Sequence, residues 1–165
     1  MKIEANVGKV LRKLEMTIAV AESCTGGLIS SRLTDISGSS DYFLMGIVAY
    51  SNKIKENILG VSPALLQKYG AVSKEAALEM AKGVRLLANT DIGIGVTGIA
   101  GPSGGTKSKP VGLVYIALIA NKKEIVKEFR FKGSRIEVKS QATQAALKLI
   151  ISVIASDRRE RSNLF

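Results

Sequence analysis

Three short apolar runs set the terms on which this chain can fold: TIAVAE (17–22), FLMGIVAY (43–50) and DIGIGVT (91–97). Runs of this length, bounded by turn residues, read as strands, the first of them buried, and helical spacing fills the gaps between them. Val7, Val10, Leu11 and Leu14 share one face of a first helix; a second starts at Thr25-Gly26-Gly27 and runs to about Asp35. Helical signals return over Lys53–Leu59, and Ser62-Pro63 opens a further helix that Gly70 stops. Ser73 begins a longer one with Ala77, Met80, Ala81, Val84 and Leu87 on one face. Gly112–Ala120 and Glu124–Phe131 form a hairpin around Asn121-Lys122-Lys123. A last helix over about 134–156 buries Val138, Ala142, Ala145, Leu149 and Val153.

Strands alternating with helices and closed by a hairpin predict an α/β chain: a three-layer α/β/α sandwich with a mixed, mainly parallel sheet of about five strands. Right-handed crossovers make the first three strands parallel. With 165 residues, a single domain over 1–165 is expected. If the strand order is 2-1-3, the chain reverses direction between strands one and three, and ligands usually bind in the crevice at such a point. Two Gly-rich segments, 26–27 and 98–105, begin at the carboxyl ends of those two strands.

Composition then narrows the chemistry. There is no His, so Ser-His-Asp and Cys-His mechanisms and imidazole metal sites are closed to this chain. The single Cys, Cys24, forms no intramolecular disulfide and no thiolate cluster. A hydrolase built from these residues needs Lys, Asp, Glu, Tyr or an activated water as its base. The net charge is +10, which suits phosphates, nucleotides or nucleic acid, or simply a solvated surface. The positive charge is interspersed and lacks an aromatic ladder for base stacking, so a dedicated nucleic-acid binder is the weaker reading. No apolar run reaches the roughly 18–20 residues that cross a bilayer, and residues 1–15 lack a signal-peptide core. A cytoplasmic location without a membrane partner is the expectation.

Two familiar motifs fail on context. Gly93–Gly98 matches G-x-G-x-x-G, but its glycines fall inside a strand and a Pro-containing loop follows. Gly101–Lys107 (GPSGGTK) has Thr106 where a phosphate loop needs Gly, and it leads into a strand. The segment Glu22-Ser23-Cys24-Thr25-Gly26-Gly27 is different. Its Ser sits between a buried strand and a helix start, where backbone amides converge to hold a phosphate or an oxyanion. Helix capping by Ser23 or Thr25 explains the same spacing. Cys24, with no His to activate it, reads as a buried structural thiol. In Tyr50-Ser51-Asn52-Lys53-Ile54-Lys55, a Lys acts as a base only if desolvation or neighbouring charge lowers its pKa; a solvated helix start is the other reading. Arg135 offers a planar donor fork for phosphate or simply faces water.

In order and spacing, AESCTGG (21–27), TDISGSSDYF (34–43), GIVAYSNKIK (46–55), GAVS (70–73), TGIAGPSGG (97–105), KPVG (109–112) and GSR (133–135) closely resemble the CinA C-terminal domain family. The resemblance covers about residues 5–156 and looks like the stand-alone form. It implies hydrolysis of the carboxamide of nicotinamide mononucleotide (NMN) to nicotinate mononucleotide and ammonia, without metal or cofactor. The family's nucleophile falls on Ser23 and its lysine on Lys55, with Tyr50 or Ser40 orienting or relaying the proton. Thr25, Gly26 and Gly27 would supply oxyanion donors; Ser40, Tyr50, Thr97 and Arg135 match further active-site positions, with Gly98 opening a phosphate-holding loop. Lys139 departs from the Arg expected there. A homodimer is the family expectation. A catalytically inactive nucleotide- or phosphate-binding module stays open as an alternative, with a nucleic-acid-associated protein behind it.

Overall fold

The computed structural model describes residues 2–121 and 123–162, with side chains only up to 156 at the C-terminal end. In chain order the elements are α1 (Ile3–Lys13), β1 (Ile18–Glu22), α2 (Leu28–Thr34), β2 (Phe43–Val48), α3 (Asn52–Asn57), α4 (Pro63–Tyr69), α5 (Lys74–Ala88), β3 (Ile92–Gly98), β4 (Leu113–Ala120), β5 (Lys123–Arg130) and α6 (Arg135–Ser162). A single 3-10 turn, Ser39–Asp41, precedes β2.

One five-stranded sheet has the order β2-β1-β3-β4-β5. The first three strands are parallel, and β4 and β5 add an antiparallel hairpin, so β4 alone runs against the rest. The architecture is the mixed α/β sandwich expected, and β1 lies between β2 and β3 as a 2-1-3 order requires.

The two faces of the sheet carry different side chains, and this decides what packs where. Ile18, Val20, Ile92, Ile94, Val96, Ile116 and Leu118 join α1, α2 and α6 in the larger core. The alternate residues Ala19, Ala21, Gly93, Gly95 and Ala117 are small, and α5 lies against that face. Its own small residues Ala77 and Ala81 are wholly buried there. A Cβ on Gly93 would strike the Ala81 carbonyl, and one on Gly95 that of Ala77. The failed dinucleotide motif is therefore a packing feature that lets helix and strand approach closely.

Local boundaries mostly follow the chemistry of their ends. Ser62 and Ser73 cap α4 and α5, accepting from the amides of Leu65 and Ala76. Three expectations change. Helix α2 starts at Leu28 rather than at Thr25–Gly27, because Gly26 and Gly27 adopt positive φ values of 63° and 93°. Leu87 is 53% exposed and does not join the buried stripe of α5. The last helix runs to Ser162, six residues past its expected end. Among the described residues no helix is long and apolar enough to cross a membrane.

Candidate active site

Ser23 follows the last residue of β1 and remains held in the sheet, its amide donating to the Val96 carbonyl at 3.0 Å. It is a buried polar residue. Across from it, α3 begins at Ser51, whose hydroxyl accepts from the Ile54 amide at 3.3 Å and caps the helix. That cap aims Lys55 inward from the last turn of a six-residue helix. Lys55 is only 2% exposed, so the reading of it as a solvated helix start does not hold.

The Lys55 Nζ lies 3.2 Å from Ser23 Oγ, 2.9 Å from the Ala49 carbonyl and 3.3 Å from that of Tyr50. Burial pulls its pKa below the ordinary lysine value of 10.5, with the nearby Cys24 thiol opposing weakly. Nζ donates to all three oxygens; once deprotonated it keeps two N–H donors for the carbonyls and frees a lone pair for the Ser23 hydroxyl. Cys24 is the buried, inert thiol expected, pushed up to about 12 chiefly by burial.

Around this pair lies a cavity of about 280 Å³, close to the lower end of the usual range for small-molecule sites. Ser23, Lys55, Tyr50, Thr97, Gly98 and Arg135 all line it, together with Asn52 and the loop residues Gly101 and Gly104. It opens at the carboxyl ends of β1, β2 and β3, where the chain's direction switches.

Several residues do other things than their motifs foretold. Tyr50 contributes its backbone carbonyl to Lys55, while the residue as a whole is 60% exposed. Its phenol oxygen accepts from Arg135 Nη2 at 2.7 Å, and among the described residues no hydrogen bond joins that phenol to Ser23 or Lys55. Arg135 also donates to the Gly101 carbonyl at 2.8 Å, joining the start of α6 to the Gly-rich loop. Ser40 is exposed in the turn before β2, at the amino end of the sheet. The length of β1 separates it from Ser23, about 16 Å at strand rise, so it cannot serve the same chemistry within this chain.

The helix-start amides are not free either. The carboxylate of Glu22, wholly buried, accepts from Gly27 N and Ile29 N at 3.1 Å, from Ser30 N at 2.8 Å and from Ser30 Oγ at 2.7 Å. Gly26 N is turned back onto the Ser23 carbonyl at 3.1 Å. Gly26, Gly27 and Thr25 therefore do not line the cavity. Thr25 is fully buried and its hydroxyl has no partner among the described residues. A protein carboxylate occupies the anion-binding end of α2. Glu22 is the residue that motif reading passed over; the signal was a carboxylate closing a buried apolar run. Lys139 stands over the Gly26 turn, its ammonium 3.3 Å from where a Cβ on that glycine would be.

Fold and pocket define an α/β sandwich protein with a small-ligand crevice at its topological switch point, walled by a buried Ser–Lys pair. The chain belongs to the CinA C-terminal domain family, whose profile matches residues 1–154. It is 49% identical over 148 residues to a CinA-like protein of Kosmotoga olearia, an alignment that covers 90% of this chain and 36% of that relative. The chain thus spans about a third of the length of the curated relatives it matches. Among solved structures, the competence/damage inducible protein CihA of Agrobacterium tumefaciens superposes with a TM-score of 0.89 at 38% identity. That match covers 91% of this chain and 92% of that one. A CinA superfamily protein of Klebsiella pneumoniae reaches 0.90 at 30% identity, covering 93% and 96%.

Proposed function

We propose that this chain hydrolyses the carboxamide of nicotinamide mononucleotide to nicotinate mononucleotide and ammonia, with Ser23 as nucleophile and Lys55 as base. The observation that carries the reading is the buried Lys55 Nζ at 3.2 Å from the Ser23 hydroxyl, held by two carbonyls and desolvated. In a chain without His, this is the one arrangement around the cavity that makes a hydroxyl nucleophilic.

Ser23 Oγ attacks the amide carbon as its proton passes to Lys55 Nζ. The C–N bond then breaks, and Lys55 returns that proton to the departing ammonia. Water adds to the acyl-serine ester with Lys55 again taking a proton, and the carboxylate leaves as Ser23 is restored. Of the residues in this turn after Ser23, Cys24 lines the cavity, so its backbone amide is the donor we assign to the developing oxyanion. One such donor typically contributes about 2.7–4 kcal/mol. Arg135 and the loop from Gly98 to Gly104 stand at the mouth of the cavity for the 5′-phosphate.

Ammonia release from NMN is the test. Wild-type protein is expected to release it, and Ser23→Ala to lose turnover while holding NMN within about tenfold of wild-type affinity. Near-normal turnover in Ser23→Ala removes the serine from its role. Binding without ammonia release in the wild type favours the inactive nucleotide-binding module instead.

A further inference from the structure

Thr97 lines the cavity from β3 and is 1% exposed. Strand pairing puts it beside the nucleophile. Glu22 is opposite Val96 in the parallel ladder, so the next residue on each strand, Ser23 and Thr97, points to the same face. Among the described residues its hydroxyl makes one hydrogen bond, donated to the Ala71 carbonyl at 2.7 Å.

A hydroxyl has one proton and two acceptor lone pairs. With the proton engaged by Ala71, Thr97 can offer a ligand only lone pairs. Turning that proton towards a ligand would leave the Ala71 carbonyl without its donor. The neighbouring wall has the same polarity, because the Ala49 and Tyr50 carbonyls beside Lys55 are also acceptors.

We propose that Thr97 is the specificity-determining residue that tells carboxamide from carboxylate, accepting from the substrate's NH2 group and disfavouring the product acid. This rests on the reading of the chain as an NMN amidase and names the contact by which substrate and product differ. The amide brings N–H donors to this wall, whereas the ionised acid brings acceptors on both oxygens. A carboxylate facing Thr97 sets lone pair against lone pair with no proton between them. The same contact that holds the substrate thus loosens once the C–N bond is replaced by C–O, which favours product release.

Calorimetry on Ser23→Ala protein, which cannot turn substrate over, tests this with two probes, nicotinamide mononucleotide and nicotinate mononucleotide. The amide is expected to bind at least about tenfold tighter than the acid. Adding Thr97→Val, which keeps the shape and loses the oxygen, is expected to bring the ratio within about threefold of unity; Thr97→Ser keeps it. Equal affinities in the Ser23→Ala protein, or a ratio unmoved by Thr97→Val, overturn the role of Thr97 while leaving the amidase reading in place. Binding of neither nucleotide overturns both. Should Thr97→Val not fold by circular dichroism, the ratios in Ser23→Ala and in its Thr97→Ser derivative decide.

Discussion

A lysine that is 2% exposed, with no carboxylate paired to it among the described residues, is costly to keep charged. Its lowered pKa has two consequences of opposite kind. For catalysis the base form is needed, so kcat/KM is expected to rise with pH through a transition below the ordinary lysine value of 10.5. For stability, the unfolded chain holds a proton that the folded chain releases between the lowered pKa and 10.5. The fold is therefore least favoured by this group below its native pKa and gains stability as pH rises through that window. Lys55→Met is expected to cut kcat by about 10²–10⁴ and to flatten that alkaline rise in stability. Rates against pH and thermal midpoints against pH measure the two effects separately. A change confined to KM would make Lys55 a binding residue.

At the scale of elements, the turn from β1 into α2 depends on Glu22. Its carboxylate takes four donors from Gly27, Ile29 and Ser30, and so fixes the segment that carries Ser23. Glu22→Gln keeps the shape but presents an NH2 group where an amide or hydroxyl donor now points. The expected loss is about 1–3 kcal/mol of stability, read as a lower midpoint in urea unfolding. A variant as stable as wild type would show that the turn holds by its glycines alone. This part of the site was only half legible in the sequence. The convergence of amides at the start of α2 was plain, but which anion they bind was not, because it depends on the rotamer of a residue five positions earlier.

For the whole molecule, the site is assembled from distant stretches of chain. Arg135 ties the start of α6 to Gly101 in the long loop and to Tyr50 past the end of β2, with 34 and 85 positions between the partners. The loop is held a second time by Lys109, whose ammonium donates to the Tyr69 carbonyl at 2.6 Å. Arg135→Ala removes both a donor fork at the cavity mouth and one of these ties. It is expected to raise KM for NMN about 10–100-fold with kcat changed far less, measured by ammonia release. A fall in kcat at unchanged KM would instead assign Arg135 to the shape of the loop.

The layered architecture was readable from the sequence; the order β2-β1-β3 was only a condition there, and the place of the crevice hung on it. Short apolar runs alternating with helical periodicity leave few ways to bury both faces of a sheet, and Gly-rich segments mark where strands stop. The lack of His was equally decisive about which bases were out of reach. What only the tertiary structure decided was the state of the polar side chains. Lys55 reads as a surface residue in its own segment and becomes a desolvated amine because α3 turns it under Ala49 and Tyr50. Ser40 reads as a neighbour of the site and lies a strand length away. Periodicity reports which face a residue takes, whereas burial and hydrogen-bond partners depend on segments brought together only when the chain closes.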